Sequence, residues 1–297
     1  MNFDPEETYL TTRELAELLR IKERKVYDMA AAGDVPCVRV VGKLLFPRDE
    51  VTRWLNAAHS GPDFSAQAGF AQTYVGSHDP LLEWALGESQ CALASFSNGS
   101  HDGLERMANN DALVCGLHLH EGEHWNVSHV QRVFSGKPVV LIEFATRARG
   151  LILSRQITAR VSALHDLRGL RVAHRQSSAA SQMLFESLLG EQNIELSELL
   201  SVSQTARTED DLGMQVFESK ADVAFGLESV AKRLQLEFVP LLHERFDLLV
   251  WRKAWFDPAF QSLLGFMRSD AFAARAAEMG GYDISALGTV RYNAPVQ

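Results

Sequence analysis

Apolar residues recur at helical spacing near the start of the chain. Leu15, Leu18 and Leu19 share one face of a short helix. Thr11, with Glu14 three positions on, fits a capping box at its start. Arg20-Ile21 breaks the pattern, and a second helix follows over 22–32, carrying Val26, Met29 and Ala30 on its apolar face. Gly33 supplies the stop and Pro36 the exit. Two β-rich pieces, 38–41 and 44–46, stand either side of Gly42-Lys43, the spacing of a hairpin. Pro47 suits the first turn of a third helix that buries Val51, Trp54 and Leu55. Helix, turn, helix, two-stranded wing and helix predict a winged helix-turn-helix over residues 1–58.

From 59 to 72 the pattern disappears into Ser, Gly, Ala and Gln, which reads as a linker. Beyond it, β-like runs at 73–76, 91–96, 112–116, 139–144, 151–154, 170–174 and 223–225 alternate with helical runs. The clearest helices are 80–86, 103–109 and 180–190. That alternation predicts an α/β architecture with parallel sheets. No repeat of 20 to 50 residues is visible.

Composition changes this picture little. The chain has 297 residues, 46% hydrophobic and 23% charged, which suits two globular domains. No run of about 18 apolar residues encodes a membrane span. The acidic start (Asp4, Glu6, Glu7) is unlike a secretory leader, so no membrane association and a cytoplasmic location are expected. Cys37, Cys91 and Cys115 are scattered and odd in number, which excludes a disulfide framework. The net charge is −9, yet residues 1–60 hold nine Lys and Arg against ten Asp and Glu. The acidity therefore belongs mostly to the second domain, and a small DNA-reading patch remains compatible with it.

Within the first domain, Arg20, Lys22, Arg24 and Lys25 fall within six positions at the start of the second helix. A recognition helix presents its side chains to the major groove there. Lys22, Arg24, Lys25 and Tyr27 are the candidate groove contacts, with Arg39 and Lys43 on the wing placed for flanking phosphates. The segment resembles the excisionase and MerR-like DNA-binding domains. The resemblance rests on Leu10-Thr11-Thr12, Glu14-Leu15-Ala16, Val26-Tyr27, Gly33-Asp34-Val35-Pro36, Val40, Gly42-Lys43, Phe46-Pro47 and Trp54-Leu55.

In the second domain, three strand-to-helix turns carry hydroxyl and amide side chains. They are Ser77-His78-Asp79-Pro80, Ser97-Asn98-Gly99-Ser100 and the run from Arg175 through Ser177 and Ser178 to Ser181. Free N–H groups and the positive end of the helix dipole meet at such starts, so three converging on one cleft would cradle an oxyanion or carboxylate. Taken singly, the same residues simply cap their helices. Residues 73–290 resemble a periplasmic-binding-protein-like domain. The matching residues include Gly76-Ser77-His78-Asp79-Pro80, Gly99-Ser100, Gly103-Leu104, Gly116-Leu117-His118-Leu119, Asn126, Arg147, Asp166-Leu167-Arg168-Gly169, Arg175-Gln176, Glu244, Asp247-Leu248 and Gly280-Gly281-Tyr282-Asp283. The resemblance implies a two-lobed type II domain over 73–297. Lobe I would take about 73–146 and 246–297, and lobe II about 147–245, with a ligand closed between them. Some members bind molybdate or tungstate.

Two departures from that family pattern bear on the ligand. Ser177-Ser178-Ala179-Ala180-Ser181 stands where members carry a Gly-Ser-Gly-Thr stretch, and Arg149 stands beside Arg147 where they often carry Gln. A second guanidinium at the crossover favours an anion. The expected ligand residues are Ser77, His78, Asp79, Ser97, Asn98, Ser100, Arg147, Arg149, Arg175, Ser177, Ser178 and Ser181. His118, His120 and His124 lie close in sequence and form a weak metal candidate; no metal and no cofactor are expected.

The chain lacks a Gly-x-Ser-x-Gly elbow, a Walker loop and a His-Glu-x-x-His motif, so an enzyme is not expected. These features together predict a one-component transcriptional regulator that binds double-stranded operator DNA as a dimer or tetramer and senses a small anion of unassigned identity. The alternative is a metal- or metabolite-binding storage or interaction protein whose helix-turn-helix docks a protein partner.

Overall fold

The computed structural model describes residues 9–40, 42–57, 71–122 and 124–295. The chain divides into two compact units, Met1–Gly69 and Phe70–Gln297. The linker expected over 59–72 lies, except for Ala71 and Gln72, outside the described residues.

In the first unit, β1 (Tyr9–Thr11) leads into α1 (Thr12–Leu19) and α2 (Glu23–Ala32). β2 (Val38–Val40), β3 (Lys43–Pro47) and α3 (Arg48–Ala57) follow. Both halves of the capping box form: Thr11 Oγ1 accepts from the Glu14 N–H, and Glu14 Oε2 accepts from the Thr11 N–H at 2.7 Å. Arg20 (φ 54°) and Gly33 (φ 77°) end α1 and α2 in the left-handed region. The sheet order is β1-β3-β2, all antiparallel. Strand β1 has no apolar alternation of its own to announce it. Pro47 closes β3 rather than opening the helix, which begins at Arg48. Leu10, Leu15, Val26, Val35, Phe46 and Val51 are buried together, so every element but β2, and the loop after α2, contributes to a small core.

The second unit opens with β4 (Thr73–Gly76), α4 (Pro80–Glu88), β5 (Ala94–Phe96), α5 (Ser100–Ala108) and β6 (Val114–Leu117). After the two-residue strands β7 (His120–Glu121) and β8 (His124–Trp125) come α6 (Val127–Val133) and the fifteen-residue β9 (Val139–Leu153). β10 (Arg171–Ala173), α7 (Ala180–Glu191), β11 (Leu200–Ser201), α8 (Glu209–Phe217), β12 (Val223–Leu227) and α9 (Glu228–Arg233) build the other half. A second fifteen-residue strand, β13 (Glu237–Trp251), returns the chain. It is followed by α10 (Pro258–Met267), α11 (Asp270–Met279), β14 (Tyr282–Asp283) and β15 (Val290–Asn293).

One sheet runs β11-β10-β12-β9-β13-β6-β4-β5, with β14 and β15 added on β9. Its outer strands pair in parallel, as the alternation predicts. β9 and β13 pair antiparallel to each other and to their neighbours, and they run from one lobe into the other. The separate strands expected at 139–144 and 151–154 are one continuous strand. Alternation along β9 feeds two cores in the second lobe: Leu151 and Leu153 pack with Phe185 and Phe225, while Ile152 packs with Leu212 and Leu227. The first lobe closes around Tyr74, Phe134, Phe144, Phe246, Phe260 and Phe272. No helix among the described residues is long and apolar enough to cross a membrane.

Gly103 sets how closely α5 lies on β4. A Cβ there would stand 2.5 Å from Gly76 Cα and 2.9 Å from Gly76 N, both backbone atoms. Gly103→Ala is therefore expected to push α5 off the sheet and cost about 1–3 kcal/mol in urea unfolding.

Candidate functional site

The three predicted turns meet. At the end of β4, the Ser77 N–H donates to Gly116 O at 2.9 Å, and the Gly99 N–H donates to Gly76 O at 2.9 Å. The hydroxyls of Ser77 and Ser100 are 2.7 Å apart, both buried, and Ser100 Oγ also accepts from the His118 N–H at 3.2 Å. A Cβ on Gly99 would lie 3.8 Å from Ser178 O, so the second turn faces the third across the lobes. Ser181 is buried there, whereas Ser177, Ser178 and Asn98 are exposed and Ser97 is half-buried.

The helix starts differ in a way the sequence does not reveal. Asp79 caps α4, its Oδ1 accepting from the Leu82 N–H at 2.7 Å. Gly99 and Ala179, the N-caps of α5 and α7, provide no side-chain cap. First-turn N–H groups in α5 and α7 thus keep their capacity for an external acceptor. His101 on α5, with Leu119, His120 and His129, faces Ala180, Met183, Leu184 and Ser187 of α7 around a cavity of about 190 Å³. Burial and the neighbouring His129 hold the His101 imidazole below its ordinary pKa.

Behind these turns, β9 aims Arg147 and Arg149 to the same face, two positions apart. Both are fully buried and paired on either side. Arg147 donates to Asp79 Oδ2 at 2.8 Å and to Glu244. Arg149 donates to Glu244 Oε1 at 2.8 Å and grips both oxygens of Glu209, at 2.9 and 3.3 Å. Arg175 donates to Glu209 Oε1 at 3.1 Å and to Arg207 O at 2.8 Å. Asp79, Arg147, Glu244, Arg149, Glu209 and Arg175 therefore form a chain of alternating charge from one lobe to the other. Three positive groups face three negative ones, and the chain is neutral.

The electrostatics follow from this arrangement. The guanidiniums of Arg147 and Arg149 hold the Glu244 carboxyl well below its usual range against the opposing effect of burial. Arg149 and Arg175 bring Glu209 down to about 2, again against burial. Burial lowers the pKa of His118, which keeps its ring neutral beside Glu244 (Nδ1 to Oε2, 3.1 Å). Arg147 also stacks over Phe246, 4.4 Å from the ring centroid. In this arrangement Arg149, expected to offer a guanidinium to an anion, is already engaged by two carboxylates.

His118, His120 and His124 do not converge. His118 lies inside with Glu244, His120 packs at a tilt against Trp125 with ring centroids 4.9 Å apart, and His124 is exposed on β8. His78, expected in the cleft, pairs with Glu83 at 3.1 Å. On the first unit, Lys22, Arg24, Lys25 and Tyr27 are all exposed along the start of α2, and Arg39 and Lys43 are exposed on the wing. Sequence reasoning missed Glu209 and did not place Glu244 in the site. Glu209 sits in Thr208-Glu209-Asp210-Asp211, a run that reads as an ordinary helix cap and does cap α8.

Two family models match in tandem: a helix-turn-helix domain over residues 9–59 and the PBP superfamily domain over residues 83–268. The chain belongs to the PBP superfamily. Its N-terminal unit is a helix-turn-helix domain and its PBP domain is two-lobed. The chain is 20% identical to the uncharacterized protein YvgK of Bacillus subtilis (strain 168) over 299 residues, covering 94% of this chain and 96% of that protein. A protein encoded in the 5′ region of a 2Fe-2S ferredoxin gene of Clostridium pasteurianum is 31% identical over 71 residues, 24% of this chain and 63% of that one. Among solved structures, the PBP domain is similar to the regulatory domain of MetR, a LysR-family regulator from N. meningitidis. The TM-score is 0.51 at 12% identity, covering 71% of this chain and 96% of that one. A phosphate ABC transporter substrate-binding protein from Clostridium perfringens, solved with bound phosphate, gives 0.50 at 13% identity, covering 74% of this chain and 99% of that one. At these identities the likeness speaks for the fold of the PBP domain.

Proposed function

We propose that the chain is a one-component transcriptional regulator. Its helix-turn-helix reads double-stranded operator DNA as a dimer or tetramer, and its PBP domain senses a small anion in the cleft between the lobes. One observation carries this reading. A helix-turn-helix whose second helix exposes Lys22, Arg24, Lys25 and Tyr27 is joined in one chain to a PBP domain with two uncapped helix starts beside its interlobe cavity. A unit of about fifty residues touches too few bases alone, so specificity requires more than one copy.

The neutrality of the buried ion chain favours an anion site away from its arginines. Arg147, Arg149 and Arg175 already have partners, so the cleft serves an anion through N–H groups at the starts of α5 and α7 and through the imidazole of His101. The ligand then joins both lobes and favours their closed arrangement, a population shift that alters operator binding. MetR uses this fold in a regulator and the C. perfringens protein holds phosphate, which supports oxyanions as first probes. Molybdate and tungstate join them through the family resemblance.

Thermal melting of the purified protein with molybdate, tungstate, phosphate, sulfate and small dicarboxylates, against chloride, tests the reading. A ligand at about a hundred times its Kd adds about 2.7 kcal/mol, or roughly 5–10 °C for a domain of this size. An anion beside His101 raises the pKa that burial now lowers, so binding takes up a proton and tightens as pH falls from 8 to 6. A flat response to every anion would overturn the ligand class. Failure of the full chain to retard any double-stranded DNA, from a genomic library or its own promoter region, would instead favour the storage or interaction reading.

A further inference from the structure

A second cluster bridges the lobes outside the anion cleft. His78 lies in the turn before α4 and Glu83 on α4 itself, which packs in the first lobe through Leu81, Leu82 and Ala85. Asp210 is the second residue of α8, which packs in the other lobe through Leu212 and Val216. One donor atom from each of the three lies within 4.8 Å of the other two.

We propose that His78, Glu83 and Asp210 bind a divalent first-row transition-metal ion that ties the two lobes together. One imidazole nitrogen and two carboxylates are the donor set that Zn²⁺, Co²⁺ and Mn²⁺ accept, whereas Mg²⁺ and Ca²⁺ prefer oxygen alone. The side chains suit an ion entering from solvent. The His78 side chain is 7% exposed, while that of Glu83 is 68% exposed and has room to move. Nδ1 of His78 is buried with no hydrogen-bond partner among the described residues, so the ring's polar capacity is not used up by the protein. Arg233 pairs with Asp210 Oδ1 at 2.6 Å, and a carboxylate carries two oxygens, so the pair and a metal can share the group. Two carboxylates offset the Arg233 guanidinium and the partial positive charges of the two nearby helix starts. Two donors come from one lobe and one from the other, so the ion stabilises the closed arrangement whether or not the cleft takes an anion.

The test uses the full chain stripped with chelator, in chloride buffer without any oxyanion. Titration with Zn²⁺ by calorimetry is expected to give one tight equivalent per chain, and Co²⁺ to give visible d–d absorption that Zn²⁺ abolishes. The metal is expected to raise the melting temperature. Glu83→Gln and Asp210→Asn alter exposed or half-exposed groups, so both should fold. Each is expected to weaken binding by at least the roughly 10–100-fold that changes behind a ligand cause, and to remove the thermal gain. His78→Ala should abolish the Co²⁺ spectrum. Absence of Zn²⁺ binding to the wild type overturns the proposal. So does unchanged affinity in Glu83→Gln and Asp210→Asn, and so does loss of binding in His124→Ala instead, which would place an adventitious ion on the histidine-rich hairpin. None of these outcomes bears on the anion screen, which is read without metal.

Discussion

Glu244→Gln is expected to lower the melting temperature of the PBP domain by about 10 °C. Glu244 is wholly buried and accepts from Arg147 and Arg149 while facing His118. Glutamine keeps the shape but not the charge, so the three guanidiniums of the chain then face Asp79 and Glu209 alone, with one positive charge in excess. Breaking a buried ion pair from one side costs about 3–5 kcal/mol, and each kcal/mol is worth roughly 2–4 °C in a domain of this length. The pH dependence separates charge from packing. The Glu244 carboxyl is held well below its ordinary value of 4.5, so its stabilisation is fully present above that pH and is lost as pH falls toward the folded value. The gap between wild type and variant should thus be constant from pH 8 to about 5 and narrow in acid. A packing defect would leave a gap that does not narrow. Combining Glu244→Gln with Arg149→Gln restores neutrality along the chain, and the double variant is expected to melt above the sum of the two single effects. An unchanged melting temperature in Glu244→Gln would mean that the ion chain does not hold in solution.

That chain also marks the limit of what the sequence discloses. The helix-turn-helix was legible because its signals are local: Thr11 and Glu14 cap α1 between themselves, and Gly33 ends α2 in the left-handed region. The three turns at Ser77, Ser100 and Ser181 were legible for the same reason. The crossover was not. Thr146-Arg147-Ala148-Arg149-Gly150 breaks an apolar run, and charge within a run reads as the end of a strand. In the fold it is the middle of β9, because Glu244 arrives from β13 directly opposite Arg147 and Glu209 arrives from α8. β13 was hidden in the same way. Pro240 and the His243-Glu244-Arg245 triplet interrupt it, and its pairing with β9 shifts register between Pro240 and Leu242 and again between Phe246 and Asp247. A buried charge becomes sensible only with its partner, and here the partners lie far away in sequence. The cap at Asp79 and the missing caps at Gly99 and Ala179 were equally hidden, since all three turns carry residues able to cap.

Arg24→Ala with Lys25→Ala is expected to weaken operator binding by about 30-fold or more and to flatten its salt dependence. A groove-reading Arg is worth about 1–3 kcal/mol, and each lost phosphate contact reduces the salt slope by about 1. The unit as a whole gives no help: with nine basic against ten acidic residues in the first sixty, it has no general attraction for DNA. Affinity must come from local placement. Val26 is fully buried between Lys25 and Tyr27, and this fixes the face of α2 that points to solvent. Arg24, Lys25 and Tyr27 project from that face, and both basic residues lie within the first turn, where a recognition helix meets base edges. Arg13 provides the contrast. It also is exposed and basic, but it sits on α1 and pairs with Glu17 at 3.0 Å. Arg13→Ala should change affinity and salt slope little. Fluorescence anisotropy between about 50 and 200 mM salt measures both quantities. Equal losses in Arg13→Ala and in the double variant would mean that the unit binds by diffuse charge, and no loss in either would move the DNA-binding face away from α2.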